Sequence, residues 1–425
     1  MYTVNQLKSL VQKDRVHRRI YTDEDIFNLE MEKIFGKSWI FVGHESQVPD
    51  ENDFITTSLG RQPVILVRGA GGKLSLLFNR CSHRGVKLCM KKNGSARSFV
   101  CPYHGWAFKN DGKLMGTPYR EGFDDKFFEV EDLDLKSPPN IDSYRGFIFA
   151  SLSEKIQPLD EYLGGIKSSI DDLCDRSPEG EISATAGCNR YIIRSNWKQQ
   201  VDNGVDLYHA PFAHASTLDQ DGRQFNRHGG GPSFYKPGTR KFIDFDPMGV
   251  WGFDNGHGFQ GAVPQVDKPA GGAYQELYDS LRRKHGKERA TKILEYDRFN
   301  TVVYPNLTFQ AFGQHIRVIH PISVSKTEIR IYPVLLKGAP ESWNREAVRS
   351  VAATHSPASM IQTDDVAVFE RAQLGLQAES VEWVYFSRHM GAEKAEERGG
   401  YKGPGSSEFL LRRQYNDVWL KHMCE

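Results

Sequence analysis

The chain has 425 residues, of which 39% are hydrophobic and 26% charged, so two folded domains are expected and the disordered class is excluded. Its 55 basic and 54 acidic side chains leave a formal net charge of +1, which provides no field for binding nucleic acid or anionic membranes. The N-terminus lacks the apolar core of a signal peptide, and no stretch approaches a transmembrane span, so we expect a cytoplasmic protein.

Short β-rich segments separated by Gly, Asn and Asp turns fill the chain from Trp39 to about Ser153. They include SWIFVGH, DFITTSL, QPVILVRG, LSLLFNR and GFIFASL. The tripeptide Asn110-Asp111-Gly112 predicts a hairpin, because glycine tolerates the positive φ that such turns need. We predict a small all-β domain over residues 38–155. A helical segment over residues 1–37 is expected to pack with the second domain.

Helical and strand-like patterns alternate from residue 156 to residue 425, which predicts an α+β domain. The helical segments are residues 158–173, 196–210, 345–354, 364–376 and 406–420. The strand-like segments are residues 190–195, 301–310, 315–323 and 328–336, of which the last three are expected to be neighbours. The Gly-rich stretches HGGGPS (228–233) and GHGFQGAV (256–263) lack the context of a phosphate loop, and we predict loops near an active-site mouth.

Two mixed pairs of cysteine and histidine follow predicted strands, as Cys81-Ser82-His83 and Cys101-Pro102-Tyr103-His104. A structural zinc site is the simpler alternative, but zinc pairs usually join cysteine with cysteine and histidine with histidine. A Rieske [2Fe–2S] centre has one iron on two thiolates and the other on two imidazoles, so each mixed pair supplies one ligand to each iron. We therefore predict Cys81, His83, Cys101 and His104 as cluster ligands.

The stretch CSHRG…CPYHGW resembles the Rieske fingerprint of aromatic-ring-hydroxylating dioxygenases, including Arg84, Gly85, Gly105 and Trp106 around the ligands. WIFVGHESQVP, GRQPVILVR, NLTFQ and HIRVIHP extend this resemblance over nearly the whole chain. It implies an N-terminal Rieske domain and a catalytic domain with a central antiparallel sheet of the helix-grip, START-like type. The remaining cysteines are expected to be ordinary small apolar residues, namely Cys89, Cys174, Cys188 and Cys424.

A second set of candidate ligands lies in DNGVDLYHAPFAH, where His209 and His214 are five residues apart. An ideal helix would splay them, but we expect Pro211 to distort or end the helix between them so that both imidazoles converge. Two imidazoles and a carboxylate form the facial triad of non-heme iron oxygenases. The same family matches this segment, and the resemblance implies that an aspartate of QTDDVAVFE completes the triad. We choose Asp365, with Asp364 as the alternative.

Two further carboxylates precede the first iron histidine. We expect Asp206 on the same helical face as His209, where it can orient the imidazole, although a helix-surface salt bridge is the simpler alternative. In the resembling family this position bridges a cluster histidine of one subunit and an iron histidine of its neighbour, which would be His104 and His209 here. Asp202, where many relatives carry Glu, is expected only to support the ligands. Five histidines are expected to be core or surface residues, namely His44, His228, His257, His315 and His320.

The resemblance implies the large catalytic subunit of a multicomponent oxygenase. A ferredoxin or reductase that draws on NADH would feed the cluster, and the mononuclear iron would use dioxygen to mono- or dihydroxylate an aromatic ring. A trimer of large subunits, often with a small β subunit, is also implied. The sequence segments HESQVP, GRQP and DNG are most similar to the benzoate, anthranilate and halobenzoate branch of this family. An aromatic carboxylate is therefore the expected substrate.

Other functions stay open at the level of sequence. Aryl amines and polycyclic aromatic hydrocarbons are the alternative substrates within the same family. Two alternatives belong to other functional classes. One is an electron-carrying Rieske protein without oxygenase activity, which would need no facial triad. The other is a scaffold stabilised by structural zinc, which would need no redox centre.

Overall fold

A computed structural model of the chain describes residues 2–217, 243–261, 272–294, 298–396 and 399–425. The chain forms two compact units, one of residues 35–159 and one of residues 1–34 together with 160–425. The predicted division into residues 1–37, 38–155 and 156–425 stays a prediction. Among the described residues, no helix has both the length and the apolar character that a bilayer crossing requires.

Residues 2–34 begin the larger unit with short helices and a small hairpin. The elements are α1 (Val4–Ser9), β1 (Val11–Gln12), β2 (Arg15–His17), α2 (Arg19–Thr22) and α3 (Glu24–Lys33). Asp23 caps α3, because its side chain accepts hydrogen bonds from the backbone N–H groups of Asp25 and Ile26. The buried face of α3 carries Ile26, Phe27 and Met31 and also the charged residue Glu30.

The unit of residues 35–159 is built from short strands, as predicted. Its elements are β3 (Ile40–His44), β4 (Asp53–Leu59), β5 (Gln62–Arg68), β6 (Leu74–Phe78), β7 (Asn93–Ser95), β8 (Ser98–Val100), β9 (Ala107–Lys109), β10 (Leu114–Gly116), α4 (Asp125–Val130), β11 (Asn140–Tyr144) and β12 (Phe147–Ser151). The strands form three antiparallel sheets with the orders β6-β5-β4-β7, β10-β9-β8 and β11-β12-β3. The hairpin predicted at Asn110–Gly112 is confirmed, since it joins β9 to β10.

The larger unit continues from residue 159 with mixed helices and strands. They are α5 (Leu159–Leu163), α6 (Lys167–Asp175), β13 (Ile182–Ser183), β14 (Asn189–Ile193), α7 (Trp197–Gly204), α8 (Ala210–Ala213), β15 (Val250–Gly252), β16 (Gly258–Gly261), α9 (Gly272–His285), α10 (Lys287–Leu294), β17 (Arg298–Val303), β18 (Leu307–Gln310), β19 (His315–Ser323), β20 (Lys326–Pro333), β21 (Leu335–Leu336), α11 (Glu341–His355), α12 (Gln362–Gly375), β22 (Trp383–Tyr385), β23 (Lys394–Ala395), β24 (Tyr401–Gly403), α13 (Phe409–Arg413) and α14 (Leu420–Cys424). A π-helical stretch, Gln414–Trp419, connects the last two helices.

A large antiparallel sheet forms the centre of this unit. Within the described ranges it has nine strands, in the order β14-β20-β19-β18-β17-β16-β15-β24-β23. The inner strand β19 is apolar along most of its length and pairs with β18 and β20. Helix α11 contacts β20, and α12 contacts β14. The predicted α+β class with a central antiparallel sheet is confirmed.

The helix predicted over residues 196–210 is wrong in its second half. Helix α7 ends at Gly204, and His209 precedes a separate short helix, α8, which has Pro211 in its first turn. Proline is tolerated there because the first N–H groups of a helix have no intrahelical partner. Pro211 therefore starts α8 and does not end α7. Asp206 and His209 lie in the connection between the two helices and not on one helical face.

Two predictions about strands also need correction. Residues 301–310, predicted as one strand, are divided between β17 and β18, because Pro305 has no N–H for the sheet ladder. The predicted loop at residues 256–263 contains β16, which pairs with β15 and β17. A Cβ atom at Gly258 would lie 2.2 Å from Leu410 Cδ2, so glycine there permits close packing. The stretch HGGGPS lies outside the described residues.

A buried carboxylate joins three distant parts of the larger unit. Glu30 is 0% exposed and accepts hydrogen bonds from Lys198 Nζ at 2.6 and 2.7 Å. The indole nitrogens of Trp197 and Trp419 donate to the same carboxylate at 2.9 and 2.7 Å. These donors offset the desolvation of the charge, which burial would otherwise make very unfavourable. The contacts hold α3, α7 and the C-terminal helical segment in one arrangement.

We expect Lys198→Met to lower the free energy of unfolding by about 3–5 kcal/mol, because Glu30 stays buried without its cationic partner. The double variant Glu30→Gln/Lys198→Met should lose less than Lys198→Met alone, since a neutral amide needs no counter-ion. Denaturant unfolding followed by tryptophan fluorescence measures both. Lys337→Met serves as the control, because its exposed pair with Glu181 contributes no more than about 1 kcal/mol. Strictly additive losses would contradict the coupling.

Candidate active site

The two predicted cluster-ligand loops share one backbone frame. The cysteines are Cys81 and Cys101, and each N–H donates to the carbonyl oxygen five residues later at 2.8 Å. Gly85 and Gly105, four residues after the cysteines, each donate an N–H to the cysteine carbonyl at 3.0 Å. The two glycines have φ values of 73° and 71°, a region that side chains rarely adopt. The sequence therefore forms the same tight turn twice.

The two histidines meet although they occupy different positions in their loops. His83 follows its cysteine by two residues and His104 by three, and their ring centroids are 4.7 Å apart. The ring of His83 also stacks on Trp106 at 4.8 Å. Both Nδ1 atoms are buried and have no hydrogen-bond partner among the described residues. Such atoms destabilise a protein unless something binds them, and a metal ion would do so.

The two cysteines lie in the apolar core of the smaller unit. Cys81 is 1% and Cys101 3% exposed, beside Phe99 and Phe108. Burial raises the pKa of the Cys81 thiol, and Cys101 adds to the increase. Bound iron would instead hold both sulfurs as thiolates. Two buried sulfurs and two imidazoles with unpartnered nitrogens fit a Rieske cluster, and the same donor set suits zinc.

Two histidines and one aspartate converge in the larger unit. Ligand atoms of His209, His214 and Asp365 all lie within 4.8 Å of one another. Oδ1 of Asp365 is 3.3 Å from His214 Nε2 and 3.6 Å from His209 Nε2. The histidines flank the short helix α8, and Asp365 lies in the first turn of α12. This group has the composition of a facial triad.

Asp364 stands outside this group. Its Oδ2 is 3.6 Å from the other ring nitrogen of His214, Nδ1, and accepts a hydrogen bond from Ser216 Oγ at 3.2 Å. Asp364 is also partly exposed, whereas Asp365 is buried. The structure thus brings Asp365, and not Asp364, among the imidazole Nε2 atoms.

The electrostatics of the group favour a cation. Burial acts to lower the pKa of His209, but the carboxylates of Asp206 and Asp365 outweigh it and raise the pKa to about 9. Burial acts to raise the pKa of Asp365, but His214, His209 and Arg317 outweigh it and lower the pKa. The site therefore holds a positive charge beside an ionised carboxylate. A divalent metal ion satisfies the same field and would displace the proton.

Asp206 contacts the ring edge of His209 that points away from Asp365. Its Oδ2 lies 3.6 Å from His209 Nδ1, and its Oδ1 accepts the N–H of Tyr208 at 2.8 Å. A carboxylate in this position can fix the tautomer and orientation of a ligand imidazole.

Asn203 belongs to the site, and the sequence reasoning missed it. Its Nδ2 lies 2.9 Å from His209 Nε2 and donates to Asp365 Oδ1 at 3.1 Å. The one available signal was its place beside Asp202 in the matched motif. Asp202 itself accepts hydrogen bonds from the hydroxyl groups of two tyrosines, Tyr21 and Tyr415. Burial raises the pKa of Asp202 to about 7.

A pocket opens beside the three predicted iron ligands. The space between its lining residues, including open solvent at its mouth, is ≈ 780 Å³. Part of its lining is apolar, from Leu207, Phe299, Phe312 and Ile361. The rest includes polar side chains, namely Gln260, Arg317, Ser350, Thr354 and His355. The pocket thus offers both apolar and polar surface to a ligand.

Arg317 and His355 are pocket residues that the sequence analysis did not identify. Arg317 stands inside the buried strand β19, and a charged residue between the apolar residues Ile316 and Val318 is the only signal that the sequence contains. Of the histidines expected to be core or surface residues, four are buried, namely His44, His257, His315 and His320. His228 lies outside the described residues.

Comparisons with known proteins match both parts of the chain to known domain families. Residues 38–138 match the Rieske [2Fe-2S] domain, and residues 159–421 match the ring hydroxylating alpha subunit (catalytic domain). The toluate 1,2-dioxygenase subunit alpha of Pseudomonas putida is 35% identical over 381 residues, which are 88% of this chain and 82% of that protein. The 2-halobenzoate 1,2-dioxygenase large subunit of Burkholderia cepacia is 34% identical over 385 residues, covering 88% and 80%.

A solved structure of naphthalene 1,2-dioxygenase with indole bound in its active site has the same fold. The TM-score is 0.84 at 24% sequence identity, and the likeness covers 100% of this chain and 95% of that chain. The Rieske match favours the iron–sulfur cluster over zinc, and the catalytic-domain match favours an enzyme over an electron carrier. The chain belongs to the aromatic-ring-hydroxylating dioxygenases, as a Rieske-type large subunit with a [2Fe–2S] cluster and a mononuclear iron.

Proposed function

We propose that this chain is the catalytic subunit of a multicomponent oxygenase that hydroxylates the ring of an aromatic carboxylate with dioxygen. Electrons reach it from a ferredoxin or reductase that draws on NADH. The observation that carries the proposal is the pocket beside His209, His214 and Asp365, whose lining combines apolar side chains with polar ones and with the guanidinium of Arg317.

Seven side chains hold the metals in this proposal. The cluster ligands are Cys81, His83, Cys101 and His104, and the iron ligands are His209, His214 and Asp365. The unpartnered imidazole nitrogens of the first set and the convergence of the second set support this assignment. The iron, when bound, supplies the activation of dioxygen. Asn203 and Asp206 orient His209 from its two ring edges.

The lining of the pocket supports an aromatic acid as the substrate. Phe299 and Phe312 stack with centroids 5.1 Å apart and offer an apolar wall to a ring. A polycyclic hydrocarbon would leave the buried side-chain amide of Gln260 without hydrogen-bond partners, which is unfavourable. Two similar proteins are named for toluate and 2-halobenzoate, and both of these compounds are aromatic acids.

Asp206 is proposed to carry electrons between subunits. It would accept hydrogen bonds from His209 and from His104 of the partner subunit in a trimer of large subunits, to which a small β subunit is joined. Its partial exposure supports this role, and so do the exposed aromatic rings of Tyr208 and Phe212 beside it. Exposed aromatic side chains are enriched at protein interfaces.

We expect the two metals to be lost independently, because the proposed ligand sets lie in separate units. Cys81→Ser should abolish the visible absorbance of the cluster and its paramagnetic resonance signal after reduction. Asp365→Ala should remove the mononuclear iron and turnover while the cluster spectrum stays unchanged. Iron-to-protein ratios and the two spectra measure both effects.

Matched controls for this prediction lie close to the ligands. Cys89→Ser changes a cysteine of the same core that lies outside the ligand loops, and Asp364→Ala changes the neighbouring carboxylate. Both variants should keep their metal. If Asp364→Ala lost the mononuclear iron and Asp365→Ala kept it, Asp364 would be the iron ligand. A normal cluster in Cys81→Ser would refute the cluster assignment.

We expect Asp206→Asn to keep both metals and to lose nearly all product formation. The amide has the shape of the carboxylate, but it can no longer accept strong hydrogen bonds from imidazoles on both sides. Rapid mixing of the reduced protein with substrate and dioxygen should show a cluster that fails to reoxidise. Wild-type reoxidation rates in this variant would leave Asp206 with no role in electron transfer.

A turnover panel tests the function itself. The wild-type holoenzyme, with NADH and a reductase, is supplied with benzoates, anilines and polycyclic hydrocarbons under isotope-labelled dioxygen. Mass spectrometry should show label in hydroxylated benzoates and little product from the other classes. Labelled products from anilines or hydrocarbons alone would contradict the substrate class. Absence of label from every product would contradict the oxygenase function.

A further inference from the structure

A buried guanidinium lines the pocket without a carboxylate partner. Arg317 is 3% exposed, and its Nη2 donates to Gln362 Oε1 at 2.9 Å. Its Nε is buried and has no hydrogen-bond partner in the part of the chain that the structure describes. No described carboxylate forms an ion pair with this side chain. A guanidinium stays charged throughout the physiological pH range, so this is a buried positive charge that no described carboxylate contacts, although it interacts with Asp365 at longer range and helps to lower the pKa of that carboxyl.

This arrangement differs from that of the other buried arginines in the described ranges. Each of those three forms an ion pair, Arg18 with Glu379, Arg176 with Asp172 and Arg412 with Glu393. The fully buried Lys198 is likewise paired with Glu30. The chain thus supplies a counter-ion for its buried cations elsewhere, and at Arg317 it supplies a neutral amide.

Two histidines close to Arg317 are uncharged. Burial lowers the pKa of His315 to about 3 and that of His355 well below its ordinary value, so both imidazoles are uncharged at neutral pH. Thr354 Oγ1 is already engaged with Ser350 O and His355 Nδ1. Among the described residues Arg317 therefore has no carboxylate in contact with it, and a ligand in the pocket can supply one.

We propose that Arg317 is the carboxylate receptor of the pocket and binds the acid group of the aromatic substrate through N–H groups of its planar fork that Gln362 does not occupy. A guanidinium matches a carboxylate in shape and forms two parallel charge-assisted hydrogen bonds with it. The inference rests on the proposed function and adds to it the residue that selects acids over neutral arenes.

Gln362 positions the receptor. It lies three residues before Asp365 on the first turn of α12 and is itself 0% exposed. Its Oε1 fixes one arm of the guanidinium and adds no negative charge. The same helical turn therefore carries the proposed iron ligand Asp365 and also Gln362, which holds Arg317 in position. This shared turn fixes where the acid group of the substrate lies relative to the proposed iron ligands.

The test compares benzoate with benzamide, which have nearly the same shape and differ in charge. Both are titrated calorimetrically into the anaerobic holoenzyme. Wild type should prefer benzoate. Arg317→Gln should weaken benzoate binding by about a hundredfold and benzamide binding by less than about threefold. Arg317→Lys keeps a point charge but loses the fork, so we expect about a tenfold loss for benzoate.

A second variant tests whether Arg317 binds the carboxylate of the substrate, and it keeps the guanidinium in place. Gln362→Glu places a carboxylate of the same shape beside Arg317, so an internal anion should compete with benzoate and weaken its binding while benzamide binding stays unchanged. Arg190→Gln is the control, because Arg190 lies on β14 in the same sheet and its exposed side chain pairs with Glu328. Cluster and iron content are measured for every variant. If Arg317→Gln fails to hold its metals, the benzoate and benzamide affinities of Gln362→Glu test the receptor role of Arg317 instead.

The outcomes separate this inference from the proposed function. An unchanged preference for benzoate in both Arg317→Gln and Gln362→Glu would overturn the receptor role, and acid turnover by wild type would still stand. A wild-type protein that shows no preference for benzoate and hydroxylates only neutral arenes would overturn both. Stability changes in the variants with unaltered discrimination would mean that Arg317 merely braces α12.

Discussion

The placement of the proposed iron site depends on one buried carboxylate. Glu30 receives hydrogen bonds from Lys198 and from the neighbouring indole of Trp197, both in the first turn of α7. The last turn of that helix carries Asn203, and the chain that follows it leads to His209. A buried polar centre is stable only when its hydrogen bonds are all made, so it admits one orientation of the helix. This orientation of α7 sets the positions of the imidazoles of His209 and His214, which follow it in the chain.

The features that the sequence predicts well are local ones. Each cluster loop is a tight turn closed by its own backbone, so a few adjacent residues determine where Cys81 and Cys101 lie. The helical pattern of residues 196–210 extends beyond helix α7, which ends at Gly204. The spacing of apolar residues does not predict where the chain leaves the helix. The choice between Asp364 and Asp365 depends on the rotation of α12. Tertiary packing sets that rotation, and the segment alone does not.

The chemistry of the pocket lies beyond such local reasoning. Arg317 faces Gln362 only because β19 takes its place in the sheet and α12 packs beside it, and these contacts join residues far apart in the chain. Fold-level likeness leaves the same question open. A fold is determined by its core and its sheet, whereas substrate choice rests on a few side chains that project into one cavity.

The duplicated frame of the ligand loops has a thermodynamic consequence. Both turns close through backbone hydrogen bonds that involve no metal, with Gly85 and Gly105 already in the left-handed conformation. Ordering a flexible loop reduces conformational entropy, and a binding event that has to order its own ligands is weakened by that amount. The backbone hydrogen bonds of the smaller unit contribute to this ordering independently of the cluster. Less of the free energy of cluster binding therefore has to offset the ordering of the ligands, and more of it contributes to affinity.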